Sequence, residues 1–158
     1  MPKKQFLFLI IIFLIIINCK EKPGPISVEN KITPTVVSSG DYVTWEIIVT
    51  NMGGKVRIER VHCREEVISG WAAGTYAEMD IPLSKSEVKS HSAEIIHAQT
   101  SPVLNIGPTD IQLKNTVTVF SNGGTDSDEC IYTIKTPYYS NFSAYSIIKT
   151  FFINPNME

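Results

Sequence analysis

Between residues 42 and 50, Val43, Trp45, Ile47 and Val49 alternate with Tyr42, Thr44, Glu46 and Thr50. A two-residue period of this kind predicts a strand with one buried face. Asn51-Met52-Gly53-Gly54 follows, a run of residues that tolerate positive φ, so the chain turns there. The next run, 55–67, sets Val56 and Ile58 inward and then resumes with Val61 and Cys63. That change of parity predicts a bulge near Glu59-Arg60. Weaker strands are expected over 75–83 and 88–97. Ile111, Leu113, Val117 and Val119 alternate again, 121–128 (SNGGTDSD) reads as turn chemistry, and Cys130, Tyr132 and Ile134 form a last core strand. No segment of 35–136 carries a helical period. Short strands separated by turn signals predict an all-β sandwich.

The two ends of the chain follow other patterns. At the start, two lysines precede an unbroken apolar run over residues 6–17. Its length matches the ~7–15 residues of a signal-peptide core and falls short of the ~20 that a spanning helix needs. Ile16-Ile17-Asn18-Cys19 closes it and resembles a lipobox, the site at which bacterial lipoproteins are acylated on the cysteine and cleaved before it. The resemblance implies a signal peptide over 1–18 and a lipidated Cys19. It departs from the usual pattern at Asn18, where a small residue is common, and at Ile16, where Leu is preferred. Residues 20–34 hold three prolines and alternating charges, so 19–34 is expected to be a tether, with 26–28 at most a loosely attached strand. At the other end, Tyr138, Tyr139, Phe142, Tyr145, Phe151 and Phe152 crowd into fifteen residues. This extension, 137–158, reads either as a cover packed on the sandwich or as an aromatic patch that docks a partner.

Within the sandwich, 35–136, the stretch from Gly40 through Val43, Trp45, Ile47 and Val49 to Asn51-Met52-Gly53 resembles bacterial immunoglobulin-like domains, in particular the cell-adhesion-related kind. The resemblance covers about fifteen residues. It implies a Greek-key sandwich of about seven strands, used for display or spacing. It also implies that Asn51 closes the turn between the second and third strands of that fold, and it carries no catalytic residue.

Charge and candidate chemistry narrow the function further. Removing Lys3 and Lys4 with the leader leaves twelve basic against sixteen acidic side chains, a mature balance of −4. That balance gives no footprint for nucleic acid, which a clustered basic face would provide. With Cys19 set aside, Cys63 and Cys130 remain, and an even pair in an exported protein is a disulfide candidate. In the predicted topology, however, their strands flank a third, and the two positions are expected ~20 Å apart along the strands. The pair is therefore either a bridge in a somewhat different topology or two buried free thiols. His62, His91 and His97 are expected on solvent faces, and none shares a metal spacing with another. Asp126, Asp128 and Glu129 read as a solvated acidic turn, with calcium binding as the sharper alternative. No metal or cofactor is expected.

Hydrolase, metalloprotease and nucleotide-binding motifs are missing from the sequence, and nothing places a base beside Cys63. The expectation is a non-enzymatic envelope lipoprotein, in the outer membrane, that presents an immunoglobulin-like domain for protein binding or structural display. Its partners would be the lipid bilayer, through the acylated N-terminus, and an envelope or extracellular protein. The rival readings are a small envelope hydrolase or thiol enzyme, and an accessory subunit that docks by its aromatic end.

Overall fold

The computed structural model describes residues 23–137, so Cys19, its leader and the aromatic segment from Tyr138 onward lie outside them. Nine strands follow in order: β1 (Ile26–Thr33), β2 (Val36–Ser38), β3 (Tyr42–Asn51), β4 (Val56–Ser69), β5 (Tyr76–Asp80), β6 (Glu87–Val88), β7 (Ser92–Pro102), β8 (Ile111–Ser121) and β9 (Gly124–Lys135). They form a small sheet, β1-β3-β7, and a large one, β2-β9-β8-β4-β5, with β6 paired to the start of β4. Seven of the nine are five residues or longer, in keeping with the seven strands expected, and the two short ones sit at sheet margins.

The topology is that of an immunoglobulin-like sandwich. The chain leaves the small sheet after Thr33, crosses over Pro34 and Thr35, and joins the large sheet as β2, parallel to the last strand. β8 runs antiparallel to both β4 and β9, so those two are parallel on either side of it. The connections between β4 and β7, and between β7 and β8, each cross from one sheet to the other.

The core follows the alternation read from the sequence. Val43, Trp45, Ile47 and Val49 of β3 face Val61, Cys63, Val117, Val119, Tyr132 and Ile134 of the large sheet, all buried. Each large apolar side chain removed from water in this way contributes ~1.5–3 kcal/mol. The register of β4 on β8 shifts between Ile58 and Arg60, where the change of parity placed a bulge. That extra residue keeps Val56, Ile58, Val61 and Cys63 all inward.

Three expectations need correction. The segment 19–34 is not tether throughout: β1 pairs with β3 over eight consecutive residues, and Val28, Asn30 and Ile32 are buried. Its prolines flank the strand rather than interrupt it, so the ladder loses no donor. The domain therefore begins ahead of residue 35. The turn read over 121–128 contracts to Asn122-Gly123, because Ser121 already pairs with Gly124. Asp126 and Asp128 are thus strand residues of β9 and not ligands in an acidic loop. His97 is buried, not solvent-facing. The pairing of β3 with β7 slips between Ile47 and Ile48, and the bulge turns both Ile96 and His97 inward.

Candidate functional site

Three polar residues occupy positions where strand parity points into the core. Asn30 lies between Val28 and Ile32 on β1, Glu65 between Cys63 and Val67 on β4, and Asn115 between Leu113 and Val117 on β8. All three are buried. A buried polar group costs free energy unless it is hydrogen-bonded, and here the groups satisfy one another. Trp45 Nε1–H donates to Asn30 Oδ1 at 2.8 Å. Asn30 Nδ2 donates to the backbone carbonyl of Asn115 at 2.8 Å and to its Oδ1 at 2.9 Å. Asn115 Nδ2 donates in turn to Cys63 Sγ at 3.3 Å, and the same amide supports the Glu65 carboxyl. Tyr132, from β9, donates its hydroxyl to Glu65 Oε1 at 2.6 Å. One polar chain thus runs from Trp45 in the small sheet to Tyr132 in the large one.

Beside this chain, β1 meets β9 without a ladder. Val28 N–H donates to Asp126 Oδ2 and Asn30 N–H to Asp128 Oδ2, each at 2.8 Å. Two carboxylates spaced two residues apart on one strand therefore hold two backbone donors spaced two apart on another. The charge of each is directed at an N–H that would otherwise lack a strand partner.

The electrostatics are uniformly acidic. Burial pushes the Cys63 thiol up to about 12, and the neighbouring Glu65 adds to the shift. Cys130 is likewise raised to about 12, by burial first and then by the Asp128 carboxylate. Burial also raises Glu65, against hydrogen bonds from Tyr132 and Asn115 that favour its charged form. Tyr132 is held well above its ordinary value by burial and by Glu65. Nucleophilic thiols need a depressed pKa and cationic neighbours. These two have the opposite surroundings, burial and neighbouring carboxylates.

Cys63 and Cys130 are both free. Cys63 stands opposite Val117 on β8 and Cys130 opposite Asn115, an offset of two residues across an intervening strand. The expected ~20 Å stagger is corrected to roughly 7 Å, because β9 starts at Gly124 and not near Cys130. Two strand spacings of ~4.8 Å still separate the pair laterally, which puts the Cα atoms beyond the ~7 Å limit for a bridge.

The histidines are dispersed. His62 points out from β4, opposite in facing to Cys63, and lies 3.2 Å from Asp80. His91 sits in the β6–β7 turn with φ 51°. His97 packs edge-on against Trp45, with ring centroids 5.0 Å apart. Its Nδ1 faces the Pro82 carbonyl at 3.3 Å, an acceptor only, so Nδ1 carries the proton. Nε2 is buried with no hydrogen-bond partner. Desolvation accordingly lowers the His97 pKa. Among the described residues, no group of three or more His, Cys, Asp or Glu could hold a metal ion.

The two ends of the sandwich differ in character. At one end lie the β3–β4, β6–β7 and β8–β9 turns, organised by Asn51. Its Nδ2 donates to the carbonyls of Gly54 at 2.9 Å and Lys89 at 2.9 Å, and its Oδ1 accepts from Gly53 N–H at 3.0 Å. Asn51 thus closes the turn assigned to it from the sequence, and it also ties in β6. At the other end Asn105, equally buried, accepts from Trp71 Nε1 at 2.9 Å and from Gly107 N–H at 3.0 Å, and donates to Thr109 O at 2.8 Å. On either side of Asn105, Leu104 and Ile106 are exposed, at 56% and 47%. The chain leaves β9 at this same end, where Thr136 N–H and Lys135 Nζ both bond Asp110. The six aromatics proposed to bind a partner follow that exit.

Of the residues at this site, Cys63, Cys130 and Asn51 were legible from the sequence, whereas Asn30, Glu65, Asn115, Asp126 and Asp128 were not recognised as core-directed. The signal was present as polar residues at inward parity.

No family model matches the chain, and no curated protein matches it in sequence. Among solved structures, it is similar to the alkylpurine DNA glycosylase AlkC of Pseudomonas fluorescens bound to DNA containing an abasic site analog. That likeness has 12% identity and a TM-score of 0.48 and covers 71% of this chain and 31% of the glycosylase. A second likeness is to Spo0M, a sporulation control protein of Bacillus subtilis, with 13% identity, a TM-score of 0.46, and 71% and 50% covered. A third is to the CARDB domain of a Pyrococcus furiosus protein in complex with di-metal ions, with 16% identity, a TM-score of 0.39, and 73% and 94% covered. The chain thus spans a third to a half of the first two proteins, and likeness at this level says nothing of what it does.

Proposed function

We propose that this chain is a lipid-anchored protein of the bacterial envelope, held in the outer membrane by an acylated Cys19, whose immunoglobulin-like domain serves protein binding or structural display. The observation that carries the reading is the lipobox-like Ile16-Ile17-Asn18-Cys19, set four residues ahead of the first described residue of a self-contained sandwich. Two or three acyl chains, at ~0.8 kcal/mol for each buried CH₂, anchor firmly where a single chain tethers weakly.

The domain suits presentation rather than catalysis. Asn30, Glu65 and Asn115 are engaged with one another and with Trp45 and Tyr132, and the thiols are held protonated. The candidate docking residues are Tyr138, Tyr139, Phe142, Tyr145, Phe151 and Phe152, which follow the chain's exit at the end remote from Pro23. Aromatic side chains of this kind are enriched in the buried centre of protein interfaces. The partner is an envelope or extracellular protein.

The test is metabolic labelling with a fatty-acid probe. The parent takes up label and fractionates with membrane, while Cys19→Ala takes up none and is released from the membrane fraction or mislocalised within it. Equal labelling of the two refutes the anchor.

A further inference from the structure

The chain enters the sandwich through a close-fitting seat of three glycines. A β-carbon on Gly24 would stand 2.2 Å from Gly53 N and 2.3 Å from Gly53 Cα, and one on Gly123 would stand 2.2 Å from Gly24 O. Real β-carbons do not approach backbone so closely, so Gly24 and Gly123 are required by contact. Further bonds fix the same segment. Pro23 bridges Gly54 in parallel, Gly24 N–H donates to Gly54 O at 3.4 Å, and Met52 N–H donates to Pro25 O at 3.2 Å. The entering segment, the β3–β4 turn and the β8–β9 turn therefore form one unit, braced from within by Asn51.

Only residues 20–22 stand between Cys19 and this seat. Fully extended, the four steps from Cys19 to Pro23 reach about 14 Å. The sandwich itself is far taller, since strands of ten to twelve residues rise ~35–40 Å. A lipid on Cys19 thus draws the turn end to the headgroup layer and leaves the opposite end, with Leu104 and Ile106, far from it. The surface so presented suits that neighbour. Met52, at the tip of the β3–β4 turn, is 63% exposed, and Lys55, Lys89, His91 and Asn122 are exposed around it. None of the three turns (52–55, 89–91, 122–123) contains a carboxylate, on a mature chain whose balance is −4. Lys55 pairs with Glu87 of β6, and the Glu94 carboxylate of β7 accepts from Lys89 N–H, so the carboxylates at this end come from the strands beside the turns.

We propose that this end is a membrane-facing surface: the bilayer headgroup layer is the partner of the three turn tips, and the glycine seat sets the domain in one stance upon it. The inference rests on the anchor reading above. It adds that the domain stands close and oriented, with Met52 inward and Leu104 outward, instead of swinging on a flexible tether.

The test uses the full lipidated protein in phosphatidylethanolamine/phosphatidylglycerol vesicles that contain a headgroup-nitroxide lipid. A bimane label is placed at Met52→Cys or at Leu104→Cys in a Cys130→Ser background, Cys19 being occupied by lipid and Cys63 buried in the fold. Quenching at position 52 is expected to exceed that at 104 several-fold. A twelve-residue Gly/Ser insertion after Lys20, which leaves the fold untouched, should erase the difference. Equal quenching at the two positions in an acylated parent overturns the stance alone, as does an insertion without effect. A parent whose intact mass shows no acyl group overturns the anchor reading and the stance with it.

Discussion

Asn30 is the point at which the two sheets are joined by hydrogen bonds through the core, and Asn30→Leu measures what that joint contributes. Leucine has the same branching and number of side-chain heavy atoms, so the substitution leaves no cavity, although its methyls need ~3.5 Å where the amide atoms stand 2.8–2.9 Å from their partners, and the neighbours must give way slightly. It removes the acceptor of Trp45 Nε1–H and the donor to Asn115 Oδ1. Each buried group left without a partner costs ~1–3 kcal/mol, and burial of the more apolar side chain returns ~1–2 kcal/mol. Taken at the middle of those ranges, the net loss is about 2–3 kcal/mol against a total stability of ~5–15 kcal/mol. Equilibrium urea unfolding, followed by tryptophan fluorescence, reads this directly, because Trp45 lies at the substituted contact.

The same substitution in an Asn115→Leu background separates a coupled chain from independent contacts. Asn115→Leu alone takes from Asn30 Nδ2 one of its two acceptors, the side-chain oxygen, and leaves it the backbone carbonyl of residue 115, whereas the double variant removes both side-chain members of that pair together. The two single losses should therefore exceed the loss in the double variant by ~1 kcal/mol or more. Additivity within ~0.5 kcal/mol would refute the coupling, and an Asn30→Leu variant as stable as its parent would refute the energetic argument altogether.

The thiols and His97 give two further tests. With both thiols raised to about 12, their thiolate fraction at neutral pH is about 1000-fold below that of an ordinary cysteine. Cys63 and Cys130 should therefore react with a maleimide only after denaturation and without reductant, and a mass two units lower that is restored by reduction would show a bridge instead. The lowered pKa of His97 means that the unfolded chain binds its proton first, so stability present above ~6.5 is lost as pH falls through the folded value. His97→Phe keeps the ring against Trp45 and removes the titration. Its urea midpoint should fall less than the parent's between neutral pH and pH 5, and parallel profiles would place the acid sensitivity elsewhere.

Much of the fold was legible because a half-buried strand declares itself by alternation. On β3 every inward residue from Val43 to Val49 is apolar, and on β4 the change from Val56 and Ile58 to Val61 and Cys63 marks the bulge where the register shifts. Asn51 was legible for a local reason: a turn of four residues brings its amide to Gly53 and Gly54 without help from the rest of the chain. β1 was not. Its inward residues are Val28, Asn30 and Ile32, and a polar residue in the middle of so short a run breaks the alternation that marks a strand. The second half of the explanation lies ninety-eight residues away, where Asp126 and Asp128 supply acceptors for its backbone. No local pattern carries that information.

The candidate site was hidden by the same physics that builds it. A polar residue at inward parity reads, in isolation, as a flaw in a strand or as the start of a loop, because burying it alone costs ~1–3 kcal/mol. Its burial is favourable only when a partner arrives at the same level on a neighbouring strand, and that depends on register. Asn115 reaches Cys63 and Glu65 because β8 pairs with β4 so that Cys63 meets Val117 and Glu65 meets Asn115. A slip of two residues would keep Leu113 and Val117 inward but carry Asn115 away from its place opposite Glu65. The polar chain therefore rewards one register among those that the apolar residues alone would tolerate. Asn30, Glu65 and Asn115 are best understood as the residues that decide how the two sheets align, and the apolar core as what holds them once aligned.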